Sequence, residues 1–139
     1  MDLKKLFMGG IVASILFFVL GWLIYGMLLM DFMKNHTGAA GNVMLQEPNM
    51  LYLVIGNLAS GFMMAYIFVR ANVNTAANGF ITAAVIGLLV SIGFDCITYA
   101  TTTIISKTAM AADVAASTVM SGIIGAITAM VMGMGKKAA

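Results

Sequence analysis

The sequence predicts an all-α integral membrane protein, a four-helix bundle with both termini in the cytoplasm. Hydrophobic residues make up 62% of the 139 residues and charged residues only 9%, against roughly a quarter in an ordinary soluble domain. So few charged side chains cannot give a domain of this size a polar surface, which argues against a soluble protein. The net charge of +2 also gives no reason to expect a nucleic-acid partner.

Four apolar runs have the length of membrane spans, since a helix needs about 20 apolar residues to cross roughly 30 Å of hydrocarbon. They predict a single transmembrane domain over residues 1–139, and only the third run is interrupted by a charge, Asp95. The first run is longer than the usual 7–15 or so residues of a signal-peptide core, which indicates a retained span. The predicted helices are Leu6–Met30, Met50–Val69, Gly79–Ile105 and Val114–Gly135.

Residue types between these runs predict where the helices begin. Pro48 suits the first position of the second helix, because its missing N–H has no intrahelical partner there. Thr75 is one of several turn or N-cap residues before the third helix, and Asp113 is a candidate N-cap for the fourth.

The basic residues predict the orientation. With four spans both termini share a side, so five basic residues fall on that side and two on the other. This bias predicts cytoplasmic termini by the positive-inside rule. The five are Lys4, Lys5, Arg70, Lys136 and Lys137, and the two are Lys34 and Lys107.

Small residues recur every fourth position in the third and fourth helices. Such rows let helix backbones approach closely in lipid, where no hydrophobic force brings helices together. The pattern favours packing inside one bundle and leaves a dimer interface as the alternative. The rows are Gly79, Ala83, Gly87, Ser91 and Asp95 in the third helix, and Ser117, Ser121, Gly125, Ala129 and Gly133 in the fourth.

Asp95 is the most informative residue. At 1.5 Å per residue it lies about 24 Å along its helix, in the outer third of a bilayer. Because it continues a small-residue row, we expect it to face protein, either as a hydrogen-bonded clamp between helices or as a proton or cation relay. Depth counting predicts a polar cluster around it, as a small cavity or a satisfied network. Its predicted members are Asn57, Tyr99, Ser117 and Ser121.

Recognisable catalytic patterns are absent from the sequence. It has one histidine and lacks Gly-x-Ser-x-Gly, His-Glu-x-x-His and the phosphate-binding Gly-x-x-x-x-Gly-Lys-Ser/Thr. A series of soft ligands, Met27, Met30, Met33 and His36, has the chemistry of a Cu(I) site, but methionine also fills packing gaps. We therefore expect no enzyme, no metal and no cofactor.

The first helix carries a family resemblance. Its residues 21–26, Gly-Trp-Leu-Ile-Tyr-Gly, are followed by Asp-Phe-Met-Lys at 31–34 and by Gly38. This pattern resembles the domain of unknown function 1761 family, small bacterial membrane proteins with four predicted spans. The layout of the third helix, and of the fourth with Asp113 and Gly122-Ile-Ile-Gly-Ala126, is similar. The resemblance implies a four-helix fold in the bacterial cytoplasmic membrane and no particular activity.

Two functions follow as hypotheses. The first is a non-enzymatic membrane protein that acts through helix contacts, as an accessory subunit or a homodimer. The alternative is a small transporter or channel for an ion, a proton or a solute, with a polar site around Asp95 and Asn57.

Overall fold

Helices account for nearly all of the chain that the computed structural model describes, residues 2–38, 45 and 47–134. Within these residues the only extended pairing is an isolated bridge between Thr37 and Ile105. The helices are α1 (Leu3–Leu23), α2 (Met30–Asn35), α3 (Met50–Arg70), α4 (Ala76–Thr101) and α5 (Lys107–Gly133), and a π-helical segment (Ile24–Leu28) continues α1.

Four of these helices are long and apolar enough to cross a membrane. They are Leu3–Leu28, which combines α1 with the π-helical segment, and α3, α4 and α5. At 1.5 Å per residue, the 21 residues of α3 reach about 32 Å, roughly the thickness of the hydrocarbon core. The all-α class and the number of candidate spans are therefore confirmed.

The last helix begins earlier than predicted. It starts at Lys107 and not at Val114, because Ser106 Oγ accepts the Ala109 N–H at 3.2 Å and caps the helix there. The N-cap role predicted for Asp113 is wrong, since this residue lies inside α5. Hydropathy detects only the uninterrupted apolar part of a helix, and the first two turns of α5 contain two charged residues, Lys107 and Asp113. The predicted end at Gly135 falls outside the described residues.

The second predicted helix begins at Met50 as expected, but the helical position predicted for Pro48 is wrong, and the third begins at Ala76 and not at Gly79. α3 begins after Asn49, whose side-chain oxygen accepts the N–H groups of Leu51 and Tyr52, so Pro48 lies before the helix. α4 ends at Thr101 and not at Ile105. The residues that follow are β-branched, a type that loses side-chain freedom in a helix. Thr75 caps the start of α4 by accepting the Asn78 N–H at 3.4 Å.

The long helices lie in a row in the order α3, α1, α5, α4. α4 packs along α5 and α1 packs along α3, while α1 also contacts α5 and so joins the two pairs. α3 barely touches α5 and shares almost no contact with α4. The bundle is therefore open, and side chains on α3 and α4 do not meet across a common axis.

The two ends of the row differ. One end, here called the α2 end, holds α2 and the α4–α5 loop, which are joined because the Gly38 N–H donates to the Ile104 carbonyl at 3.0 Å. Ser106 Oγ also donates to the His36 carbonyl. The opposite end, here called the N-terminal end, holds Asp2 and the α3–α4 loop.

The predicted basic groups separate between these two ends. Lys34 and Lys107 lie at the α2 end, on α2 and at the start of α5, whereas Arg70 lies at the N-terminal end with Lys4 and Lys5. Lys136 and Lys137 fall outside the described residues. The largest fully buried side chains are Phe68, Ile124, Thr128 and Met132.

Candidate functional site

Small residues determine how α4 and α5 meet. A Cβ atom added at Gly79, Gly87 or Gly125 would come closer than 3.0 Å to the facing helix, a distance that real Cβ atoms essentially never show. The two backbones are therefore in direct contact, as expected for small-residue rows. The facing pairs are Gly79 with Ala129, Ala83 with Gly125, and Gly87 with Ser121. Each step of four residues along α4 thus matches four residues back along α5.

The other predicted packing residues complete these rows. By the same step Ser91 falls opposite Ser117, and the Ser91 hydroxyl donates to the Gly87 carbonyl of its own helix at 2.8 Å. Gly133, at the end of α5, lies directly against the Asn74 carbonyl of the α3–α4 loop. The two rows cover each other inside one chain, so this face of α4 and α5 has no room for a second copy.

The register of α4 and α5 brings two acidic residues together at the α2 end. Four residues beyond Ser91 on α4 and four residues before Ser117 on α5, Asp95 lies opposite Asp113, and the two carboxyl groups face each other. Asp95 is only 4% exposed, and its Oδ2 atom has no hydrogen-bond donor among the described residues. Close packing along the rest of the row prevents the two helices from moving the carboxyl groups apart.

Tyr25 contributes a third polar group. It belongs to the π-helical segment that continues α1, and its hydroxyl lies near Asp113 and Asp95, with the Ser117 hydroxyl beside it. π-helical turns are rare and occur frequently at functional sites. We call Asp95, Asp113, Tyr25 and Ser117 the acidic cluster. Among the described residues, the charged group beside Asp95 is another acid, Asp113, and not a basic side chain.

Three residues predicted for the cluster lie elsewhere. Asn57 lies on α3, in a groove between α1 and α3, because α3 is separated from α4 by two helices. Tyr99 is 40% exposed, and Lys107 Nζ lies 6.0 Å above the centre of its ring. Ser121 is buried against Gly87, two turns away from Asp113. Of the predicted partners of Asp95, only Ser117 belongs to the acidic cluster.

Tyr25 and Asp113 are the members that sequence reasoning missed. Tyr25 is an aromatic residue near the end of a span, which is typical of an interface residue, and Asp113 is the last residue of a predicted loop. The helical spacing of Asp113 before Ser117 and Ser121 was the available signal for α5, because it continues the small-residue row by one more step of four. No comparable signal places Tyr25, since its position depends on how α1 packs against α5.

The cluster offers carboxyl and hydroxyl oxygens. Within residues 2–38, 45 and 47–134, no group of three or more histidine, cysteine, aspartate or glutamate residues is arranged to hold a metal ion. His36, from the soft-ligand series, stacks on Phe32 and its Nδ1 lies 2.8 Å from the Phe32 carbonyl. The arrangement is suited to holding a positive charge between carboxyl groups.

No family model, no curated protein and no solved structure matches this chain significantly. The resemblance to the domain of unknown function 1761 family therefore stays an expectation from the sequence.

Proposed function

We propose that the protein is a non-enzymatic integral membrane protein that acts through helix–helix contacts, as a homodimer or as a subunit of a larger membrane complex. The observation that carries this proposal is the exposure of the first half of α3. Every residue of Met50–Ala59 is exposed except Asn57, which is half-buried. The buried residues of α3 all lie in its second half: Gly61, Met64, Ala65 and Phe68.

α3 is therefore held to α1 at one end only. Gly61 permits the contact, because an added Cβ would strike the Ser14 side chain and the Gly10 carbonyl. Beyond Gly61 the helices leave between them an open groove, lined by Ser14, Ile15, Phe18, Val19, Val54, Asn57 and Leu58. This groove is apolar apart from two polar side chains.

The amide of Asn57 favours a protein partner over lipid in this groove. Its Nδ2 donates to the Leu53 carbonyl at 2.7 Å, which leaves one amide hydrogen and the side-chain oxygen for other partners. Polar side chains at this depth normally face protein, where interhelical hydrogen bonds satisfy them. In a symmetric dimer, Asn57 of each copy would pair with the other.

The orientation and location are part of the same proposal. Both termini lie in the cytoplasm and the α2 end faces outside, in the bacterial inner membrane. The support is the five-to-two distribution of basic residues along the sequence.

Cysteine cross-linking in native membranes tests the contact surface. Val54 borders the groove, and Ile81 is a matched control because it is also exposed but lies on α4. Both cysteines are introduced after Cys96→Ser, since the natural cysteine is exposed. We expect Val54→Cys to form a disulfide-linked dimer that Asn57→Leu weakens, and Ile81→Cys to stay monomeric.

A larger complex gives a different result in the same experiment. In that case Val54→Cys cross-links to one other protein in a fixed ratio, and Asn57→Leu again weakens the product. If Val54→Cys forms no product, or no more than Ile81→Cys does, the first half of α3 is a lipid-facing surface and the proposal fails.

A second candidate function is movement of a proton, an ion or a small solute. One observation favours it: Asp95 is buried on a helix long and apolar enough to cross a membrane, and one of its carboxylate oxygens has no donor among the described residues. An intramembrane acid is by default a candidate for ion or proton pathways. Asn57, the other residue of this hypothesis, lies in the α1–α3 groove, so the site of this function is the acidic cluster alone. Uptake into liposomes that contain only this protein tests it.

A further inference from the structure

Two acids that face each other, with no basic partner for Asp95 among the described residues, require a compensating positive charge. Packing of the small-residue rows determines where Asp95 and Asp113 lie, and rotation of either helix would disrupt the contacts at Gly87 and Gly125. Two carboxylates in a site of low polarity repel each other strongly. The pair is therefore stable only when a proton or a cation lies between the oxygens.

The groups around this pair come from each helix that packs there. α5 contributes Asp113 and Ser117, the π-helical segment contributes Tyr25, and α4 contributes Asp95. Tyr99, one turn beyond Asp95, is associated with Lys107 at the exposed rim, where Lys107 Nζ is 6.0 Å from the Tyr99 ring centre. The ligands of the cluster are all oxygens, which hard cations prefer over soft ones.

We propose that Asp95, Asp113, Tyr25 and Ser117 form a binding site for one hard cation, for which a proton and a metal ion compete. Asp95 Oδ2, the buried oxygen without a donor among the described residues, is the atom that receives the cation. Asp113 is only half-buried, so it gives the cation a route between the site and the medium at the α2 end. This inference deepens the second candidate function, because it names the ligand of that site, and it concerns binding and not transport.

The test is thermal unfolding of the purified full chain in mild detergent. At alkaline pH, choline chloride is replaced by sodium chloride or by calcium chloride at constant ionic strength. A second series in choline chloride lowers the pH without metal. A cation at ten times its Kd raises the ratio of folded to unfolded protein about elevenfold, so we expect a higher Tm with the cation that binds.

Three variants decide whether the effect belongs to this site. Asp95→Asn and Asp113→Asn each remove one carboxylate, and both should lose the cation-dependent shift in Tm. Asp31→Asn is the matched control, because Asp31 is an exposed acid at the same end, on α2, and it should keep the shift. Asp113 is half-buried, so its variant gives an answer even if Asp95→Asn fails to fold.

A proton and a metal ion are distinguished by whether the salt series or the pH series shifts the Tm. A shift with sodium or calcium that both cluster variants lose supports a metal ion, and a shift with pH alone that both lose supports a shared proton. A wild type that responds to neither series overturns the inference, as does a shift that both cluster variants retain. Binding without uptake into liposomes would keep the site and refute the transport function, whereas uptake that survives in both variants would separate transport from this site.

Discussion

Replacing Gly125 by alanine tests the direct contact between α4 and α5. The added Cβ atom would come closer than 3.0 Å to Ala83 and to the Gly79 carbonyl, whereas nonbonded carbon atoms rest about 3.5–4.0 Å apart. Neither neighbour can move aside, because one is a backbone group and the other is a methyl group on a rigid helix. The helices must therefore separate by at least about 0.5–1 Å.

The cost of this separation follows from the contacts along the row. The attraction between two atoms in contact is about 0.1–0.2 kcal/mol. A gap of about 0.5–1 Å loses roughly a quarter to a half of that attraction. Over roughly 30 atom pairs between the two helices the loss is about 1–3 kcal/mol, the range typical of overpacked sites. Gly125→Leu should cost more, because a larger side chain separates the same backbones further.

Gly93→Ala is the matched control. Gly93 lies in the partner helix α4 at an exposed position, and an added Cβ there meets nothing within 4 Å. Alanine favours the helix over glycine by up to about 1 kcal/mol at either position, so this gain cancels in the difference between the two variants. Unfolding in mixtures of mild and denaturing detergent, followed by circular dichroism, measures both. If Gly125→Ala is as stable as Gly93→Ala, the backbones are not in contact and the register of α4 and α5 is wrong.

Two further predictions concern the α2 end. In a Cys96→Ser background, Lys34→Cys and Lys107→Cys should react with an impermeant thiol reagent from outside intact cells, while Arg70→Cys should not; the reverse labelling would invert the topology. Gly38→Ala should disrupt the link between Gly38 and Ile104, because an added Cβ would strike the Thr103 carbonyl. We expect a local loss of about 0.5–1.5 kcal/mol, seen as faster amide hydrogen exchange around this link, whereas Gly21→Ala, whose Cβ meets nothing within 4 Å, should leave exchange there unchanged.

Composition and periodicity are sufficient to predict the all-α class of this protein and the helix faces that pack. Apolar runs of membrane length predict four spans, because only a helix satisfies its own backbone in lipid. The spacing of four between Gly79 and Gly87, and between Ser121 and Gly125, predicts close helix contacts. Both inferences depend on local composition and periodicity, which the chain carries whatever the arrangement of its helices.

The start of α5 is harder to predict, because two residues before the apolar run can each cap the helix. Asp113 has the residue type of an N-cap, but Ser106 is equally suitable and lies about two helical turns before it. Capping favours either start, and the residues between them, Lys-Thr-Ala-Met-Ala-Ala, form helix readily. The longer helix adds backbone hydrogen bonds, and it also turns Asp113 from a loop residue into a member of the row.

Which polar side chains meet depends on the order of the helices, which the sequence does not reveal. Depth counting gives the height of a residue along the membrane normal and says nothing of the order of the helices. Asn57 and Asp95 have similar predicted heights, yet α1 and α5 lie between their helices. The partner of Asp95 is instead Asp113, because the rows of α4 and α5 match in register, and Tyr25 joins them because α1 packs on α5. Neighbour order arises from the packing of whole helix surfaces, and no single motif in the chain encodes it.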